Sequence, residues 1–395
     1  FTAALTTTTN DTGNFALAGG NVITVVNQVG SSGHALHEIT VGNGTSALFS
    51  EDVYATTTSL TDGSMTIGAG KNVYGAIDNA SANGTATLTL SGSTVSGAVG
   101  ETNPISSILL INAANSSDVF SSSVKATAIT LGDNAGSVTF GGATTVTDAV
   151  TLAADSQTLT FKGDTTLTGG ADFGSYASTM TLDSTSGVLA LTGGAITGTN
   201  KGTLALTGAN AITVAQALGK DVDNRIGAIT VADGAAGTFA SAVYTKDLIL
   251  TGTGSATFDA NAYISGNLTV ASGALTFNNP VDITGATVSF GADSAVAFNS
   301  TLTGSFTYSG GSLAFSSDYA GTLSVSNASG KITLNDGAKI VGGGVDNTSG
   351  TDNSVTLTLK GSSSIDGAIG STKNLANVSI LNKNGAVVSF GSTVK

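Results

Sequence analysis

Cysteine and tryptophan are absent from the 395 residues, proline and histidine each occur twice, and arginine occurs once, at Arg225. Without cysteine there is no disulfide, no thiolate metal centre and no cysteine nucleophile. A lone arginine leaves no arginine-lined groove for phosphates or acidic sugars. Charged residues make up only 10% of the chain, far below the usual quarter. The 26 acidic and 13 basic residues give a net charge of −13, which argues against nucleic acid or an anionic membrane as partner. No apolar run approaches the roughly 18 residues of a spanning helix, so no direct membrane span is expected. The opening FTAALTTTTN has neither an initiator Met nor a leader pattern, which implies a removed leader or a piece of a longer protein.

What the chain does have is 54 glycines among abundant Val, Ile, Thr, Ser and Asn. Disordered chains are poor in β-branched residues, so this composition favours strands and short turns. Alternating runs such as TLTF (158–161), LILT (248–251) and ATVSF (286–290) read as strands by their period. TG, AGG, DG and SG turns bound them. QALGKDVDN (216–224) is the best helix candidate and is too short to carry one.

A spaced apolar pattern returns four times. LHEITVGNGTSALFSEDVY (36–54) recurs without a gap as IGAITVADGAAGTFASAVY (226–244). The stretches before them, 13–30 and 202–219, also align, so the unit covers about forty residues. Further copies run over 84–125 and 354–395, and the spacing from Gly100 to Lys125 equals that from Gly370 to Lys395. Copies thus lie near 13–54, 84–125, 202–244 and 354–395 of one continuous chain. Phe49, Phe120, Phe239 and Phe390 occupy one repeat position and are expected in the core. Tyr54 and Tyr244 follow the core Val and are expected at its edge, with outward contact as the alternative.

The fold class is all-β: an elongated parallel β-solenoid, with tandem β-sandwiches as the alternative. Immunoglobulin-like sandwiches usually carry a core Trp, which is missing here. Asn43-Gly44, Asn83-Gly84 and Asp233-Gly234 suit hairpins and keep the alternative open. Coils of about 20 residues would number roughly 20 and stack into a rod of about 95 Å. Its ends would carry bare strand edges that need a cap or another chain. The fourth copy stops at Lys395, where the third runs on, which fits a fragment or an end continued by something else.

The pattern GTxxLxG, then GA(V/I/L)G, IxxIxV, NG or DG and F-x3-V resembles the passenger repeats of rickettsial-type outer-membrane autotransporter surface antigens. The residues that carry it are Leu88, Leu90, Gly97, Gly100, Ile105, Ile108, Leu110, Phe120 and Val124, with their counterparts in the other copies. The resemblance implies export, a β-solenoid passenger, and adhesion or a protein layer at the bacterial cell surface. That family's translocator barrel shows as ten-residue amphipathic strands with aromatic girdles, which have no counterpart here.

Nothing forms a convincing catalytic or metal constellation, so no catalytic, cofactor or metal residue is assigned. His34, His37 and Glu38 lack the HExxH spacing and a third partner. Asp221, Asp223 and Asn224, and Asp346, Asn347, Asp352 and Asn353, place oxygens at alternate positions as calcium sites do, yet match no calcium-loop pattern. Asx turns account for both clusters, and calcium stays the one cofactor worth testing. GSVTF (136–140) is not a nucleophile elbow. The functional expectation is therefore a non-enzymatic structural or adhesive surface protein whose partners are a host or matrix surface, copies of itself, or both. The alternatives are a self-assembling surface-layer or filament subunit and, at low weight, a polysaccharide-acting β-helix enzyme.

Overall fold

In the computed structural model, residues 5–82, 84–111, 116–133, 136–326, 330–348, 355–381 and 386–395 are described. The chain divides into two units, Phe1–Gly202 and Thr203–Lys395. Each is a parallel β-solenoid, in which a strand pairs with the strand one coil later. In the first unit, Asn14–Leu17 lies parallel to Leu36–Val41, and Val22–Val25 parallel to Ser46–Phe49. Val29 then bridges Val53. Three rows of strands therefore make one coil. The sandwich alternative falls here, because the strand-to-strand ladders among the described residues are parallel throughout. Asn43-Gly44 and Asp233-Gly234 turn the chain from one row to the next and close no hairpin. Asn83 lies outside the described residues.

Alternation produces this arrangement directly. In TLTF (Thr158–Phe161) Leu159 and Phe161 are buried while the threonines face out, and in LTF (275–277) Leu275 and Phe277 do the same. The main chain is satisfied by the coils above and below, so the side chains need only be apolar inward and small outward. Register fixes the spacing between coils but not their length. The step is 17 residues from Phe298 to Phe315 and 26 from Thr165 to Leu191, so a uniform coil of 20 does not hold.

Stacked identical positions build the core. Phe120, Phe140 and Phe161 stack in the first unit with ring centroids 5.1 Å apart at each step. In the second, Phe239, Phe258, Phe277, Phe298 and Phe315 stack at 4.6, 5.0, 5.4 and 5.6 Å. A coil rise near 4.8 Å stacks the rings with interplanar angles of 1° to 25°, and the centroid distances above that rise mark offset pairs, the favoured geometry. Around the short 17-residue step, Phe290, Phe306 and Tyr319 pack edge to face and fill the interior. Tyr308 is also buried; its hydroxyl donates to the Gly311 carbonyl and accepts the Lys331 N–H at 3.1 Å. Burial pushes the Tyr308 phenol up to about 12.

The forty-residue copy spans nearly two coils, as coils of about 20 residues imply: Asn14–Leu17 lies under Leu36–Val41. One expectation needs adjustment. Phe49, Phe120 and Phe239 are buried, whereas Phe390, whose strand pairs with Ser364–Ile365, is half-buried. As their shortness implied, residues 216–224 form no helix but a bridge and a loop, and the single helical turn among the described residues is Ser184–Ser186.

Candidate functional site

The four copies share one corner geometry. Val29 bridges Val53, Val99 bridges Val124, Leu218 bridges Val243 and Ile369 bridges Val394. The next N–H, of Tyr54, Lys125, Tyr244 or Lys395, donates to the carbonyl of Val29, Val99, Leu218 or Ile369 at 2.7, 2.8, 2.6 and 3.1 Å. Gly30, Gly100, Gly219 and Gly370 follow at φ +67°, +69°, +70° and +67°, the left-handed region. At Gly30, Gly100 and Gly219 a Cβ would also stand 2.3, 2.2 and 2.5 Å from the carbonyl oxygen of Tyr54, Lys125 and Tyr244. Backbone twist and close approach together demand glycine there.

After that glycine the chain leaves the ladder in a loop: SSGHA (31–35), ETNP (101–104), KDVDNR (220–225) and STKN (371–374). Elsewhere it rounds the corner without a break, as in the eight-residue strands Val53–Leu60, Val124–Leu131 and Val243–Leu250. Within each unit the second loop-bearing copy is turned by one row relative to the first. Asn14–Leu17 belongs to the row of Val53–Leu60, whereas Thr87–Leu90 belongs to the row of Ser64–Ile67.

Two loops share a clamp that sequence reading missed. Asp78 accepts the N–H groups of Thr102 and Asn103 at 3.2 and 3.3 Å. The buried amide of Asn79 donates to the Pro104 carbonyl at 3.0 Å. One coil before the last loop, Asp346 accepts the Thr372 N–H and hydroxyl, each at 2.7 Å. The buried Asn347 donates to the Asn374 carbonyl at 2.7 Å. The signal is the recurrence of Ile-Asp-Asn and Val-Asp-Asn one coil ahead of a Gly-x-Thr loop, too short to stand out in a chain this rich in Asp and Asn. Burial alone would raise Asp346, but the Thr372 hydroxyl and N–H hold its carboxyl below the usual range.

The first loop closes through reciprocal Ser31 and His34 main-chain bonds at 3.2 and 2.9 Å. In the third, Asp221 accepts the N–H groups of Asp223 and Asn224 at 3.0 and 2.9 Å, the Asx turn expected from sequence. Beside the first and third loops, tyrosines stack at the edge of the coil: half-buried Tyr54 on exposed Tyr74 at 4.2 Å, and half-buried Tyr244 on half-buried Tyr263 at 4.4 Å. Burial and the partner ring raise the phenols of Tyr54 and Tyr244. Beside the second and fourth loops the equivalent residue is Lys125 or Lys395, and Lys125 pairs with Glu101 at 3.0 Å. Each unit therefore holds one tyrosine-floored and one lysine-floored loop.

The suspected ligand clusters are not assembled. His37 Nδ1 lies 3.1 Å from Asp11 Oδ1, while Glu38 accepts the Ser59 hydroxyl at 2.7 Å, and His34 sits in the loop. Asp352 and Asn353 lie outside the described residues. Among the described residues, no three His, Asp or Glu side chains gather closely enough to hold a metal. The carboxylates instead cross between coils: Asp52, Asp164, Asp233 and Asp336 accept the N–H groups of Asn72, Ala190, Thr253 and Ser362 at 2.7 to 2.9 Å. The acidic excess is in large part a set of corner clamps.

Over 391 residues the chain is 35% identical to Outer membrane protein A of Rickettsia rickettsii. The alignment covers 90% of this chain and 17% of that protein, so the chain spans a small part of the relative's length. The likeness to rickettsial surface-antigen repeats read from the four copies is thus borne out by a curated relative. No family model matches the chain, and no solved structure matches it.

Proposed function

We propose that this chain is a stretch of a non-enzymatic, cell-surface passenger whose coils form a scaffold and whose corner loops make adhesive contact. The observation that carries this is the contrast within the four copies. The bridge, the left-handed glycine and the carbonyl contact recur each time, while the loops SSGHA, ETNP, KDVDNR and STKN differ in length and charge, the second and fourth sharing only their threonine. A fixed frame with dissimilar exposed tips suits recognition, since loops positioned by a rigid scaffold commonly carry binding. The outer-membrane name of the rickettsial relative supports a surface location.

The test is binding of fluorescently tagged chain to cultured cells and to immobilised matrix, compared with a variant whose four loops are replaced by Gly-Ser linkers of equal length. The expected result is saturable binding by the native chain and its loss in the variant, with circular dichroism unchanged. Equal binding by both proteins contradicts the role of the loops. Ordered sheets or fibres in electron microscopy without cell binding would favour self-assembly.

A further inference from the structure

Asn43-Gly44 forms the tip of a turn over 42–45, which the Thr45 N–H closes on the Gly42 carbonyl at 3.0 Å. Gly44 is left-handed at φ +69°, and a Cβ there would find no atom nearer than Gly20 Cα at 3.7 Å. Both tip residues are exposed. Across the coils, the Gly44 N–H donates to the Asp62 carbonyl at 3.2 Å.

The same turn recurs with aspartate in place of Asn43. The Ala235 and Ala338 N–H groups close 232–235 and 335–338 at 3.0 Å, with Gly234 and Gly337 at φ +74° and +83°. There the side chain is tied down. Asp233 accepts the Thr253 N–H and hydroxyl at 2.7 and 2.8 Å, and Asp336 accepts the Ser362 N–H at 2.8 Å. The Asn43 amide has no such bond among the described residues. Other asparagines differ. Asn103 and Asn279 precede Pro104 and Pro280, whose nitrogens carry no proton. Asn79 is buried and bonded to the Pro104 carbonyl. Asn72 and Asn267 precede the bulky Val73 and Leu268, and their side chains are bonded to Thr94 and Asp247. Asn83 and the pair Asn384-Gly385 lie outside the described residues.

We infer that Asn43 is a site of spontaneous modification in the folded chain, passing through a cyclic imide to aspartate and isoaspartate. The Gly44 nitrogen loses its proton to solvent base and attacks Asn43 Cγ. The N–Cγ bond forms, the Cγ–Nδ2 bond breaks, and Nδ2 leaves as ammonia with a proton from water. Water then opens the five-membered ring. Cleavage of the new N–Cγ bond leaves aspartate. Cleavage between the Gly44 nitrogen and the Asn43 main-chain carbonyl carbon leaves isoaspartate, whose main chain runs through Cβ and Cγ. Nothing is oxidised or reduced. Glycine is what permits the attack, because no Cβ stands between its nitrogen and the amide. The aspartate product repeats the residue found at Asp233 and Asp336. The isoaspartate product lengthens the main chain of the turn, two residues before the strand Ser46–Phe49. This site is independent of adhesion through the loops.

Ageing the purified full chain at body temperature and mapping its peptides by mass spectrometry tests the site. The Asn43 peptide should gain the mass difference between amide and acid, through a species lighter by one ammonia. An isoaspartyl methyltransferase should label part of the product. Conversion should run faster in mildly alkaline than in mildly acidic buffer, since the nitrogen must lose its proton. Asn103 and Asn279 are internal controls and should stay intact. Gly44→Ala should slow conversion severalfold. Because it also strains a left-handed turn, Asn43→Gln is the second variant: it keeps an amide and the glycine, needs a six-membered ring, and should stay intact over the same period. An Asn43 peptide that stays intact in the folded chain while the urea-unfolded chain converts would overturn the inference, since the turn would then protect it. So would an equal rate in Gly44→Ala, or acid formed with no isoaspartate, the mark of direct hydrolysis of the amide.

Discussion

At Val53–Leu60 the chain rounds a corner of the solenoid without leaving the ladder; one coil earlier, between Val29 and Leu36, it leaves for a loop and returns. The two corners differ in how many residues can solve them. A continuous corner needs only inward apolar and outward small side chains, so many sequences serve and the pattern drifts. A loop-bearing corner must stop the strand at one carbonyl and reverse the backbone at φ near +67°, beneath the next coil's main chain. Few sequences do this, and the chain repeats the solution four times.

Removing a ring from the plain coils should have the largest effect. Phe258→Ala empties the middle of a buried stack between Phe239 and Phe277. It should cost about 3–5 kcal/mol, seen as a lowered denaturant midpoint. Gly219→Ala attacks the loop-bearing corner, where a methyl would meet the Tyr244 carbonyl in a left-handed backbone. The expected loss is about 1–3 kcal/mol. Gly187→Ala is its control: the site is extended and open, so the change should stay within about 0.5 kcal/mol. Equal losses at the two glycines would erase the distinction between the corners.

Asn79→Ala tests the clamp. It leaves the Pro104 carbonyl without the Asn79 amide and should cost about 1–3 kcal/mol. It should also speed proteolysis within 101–104 more than within 31–35, which the clamp does not hold.

Acid should loosen corners before cores. The Thr253 N–H and then its hydroxyl hold Asp233 below the usual carboxylate range. The N–H of Asp223 and then the Asn224 amide do the same for Asp221. A depressed folded pKa contributes stability above the unfolded value of about 3.9, and that contribution is lost as pH falls through it. Melting temperature should therefore stay level from neutrality to about pH 5 and decline below about pH 4. The smallest expected effect is from a chelator: with Asp221 and Asp346 engaged by N–H and hydroxyl donors, EDTA should not move the melting temperature.

How far the sequence could be read follows from the same contrast. Alternation revealed the strands, and Phe49, Phe120 and Phe239 marked the interior, because an inward position repeats with every coil. The corner glycines were legible as an aliphatic-Gly pair, in full as GAVG (97–100) and GAIG (367–370), because only glycine fits there. The coil length was legible as an average of about 20 residues but not in its variation from 17 to 26, since added residues sit in corners that leave the strand pattern unchanged. The Asp78-Asn79 clamp was invisible for another reason. Its members are common residues about 25 positions from the loop that they hold, and only pairing brings them into line.

Residue-resolved hydrogen exchange on the native chain tests the division of labour most directly. The amides of Tyr54, Lys125 and Tyr244, bonded to the carbonyls across each corner, should exchange slowly, while 31–35, 101–104 and 220–225 exchange orders of magnitude faster. Loops protected as strongly as those three amides, or those amides exchanging at the loops' rate, would contradict a rigid frame that displays separate tips.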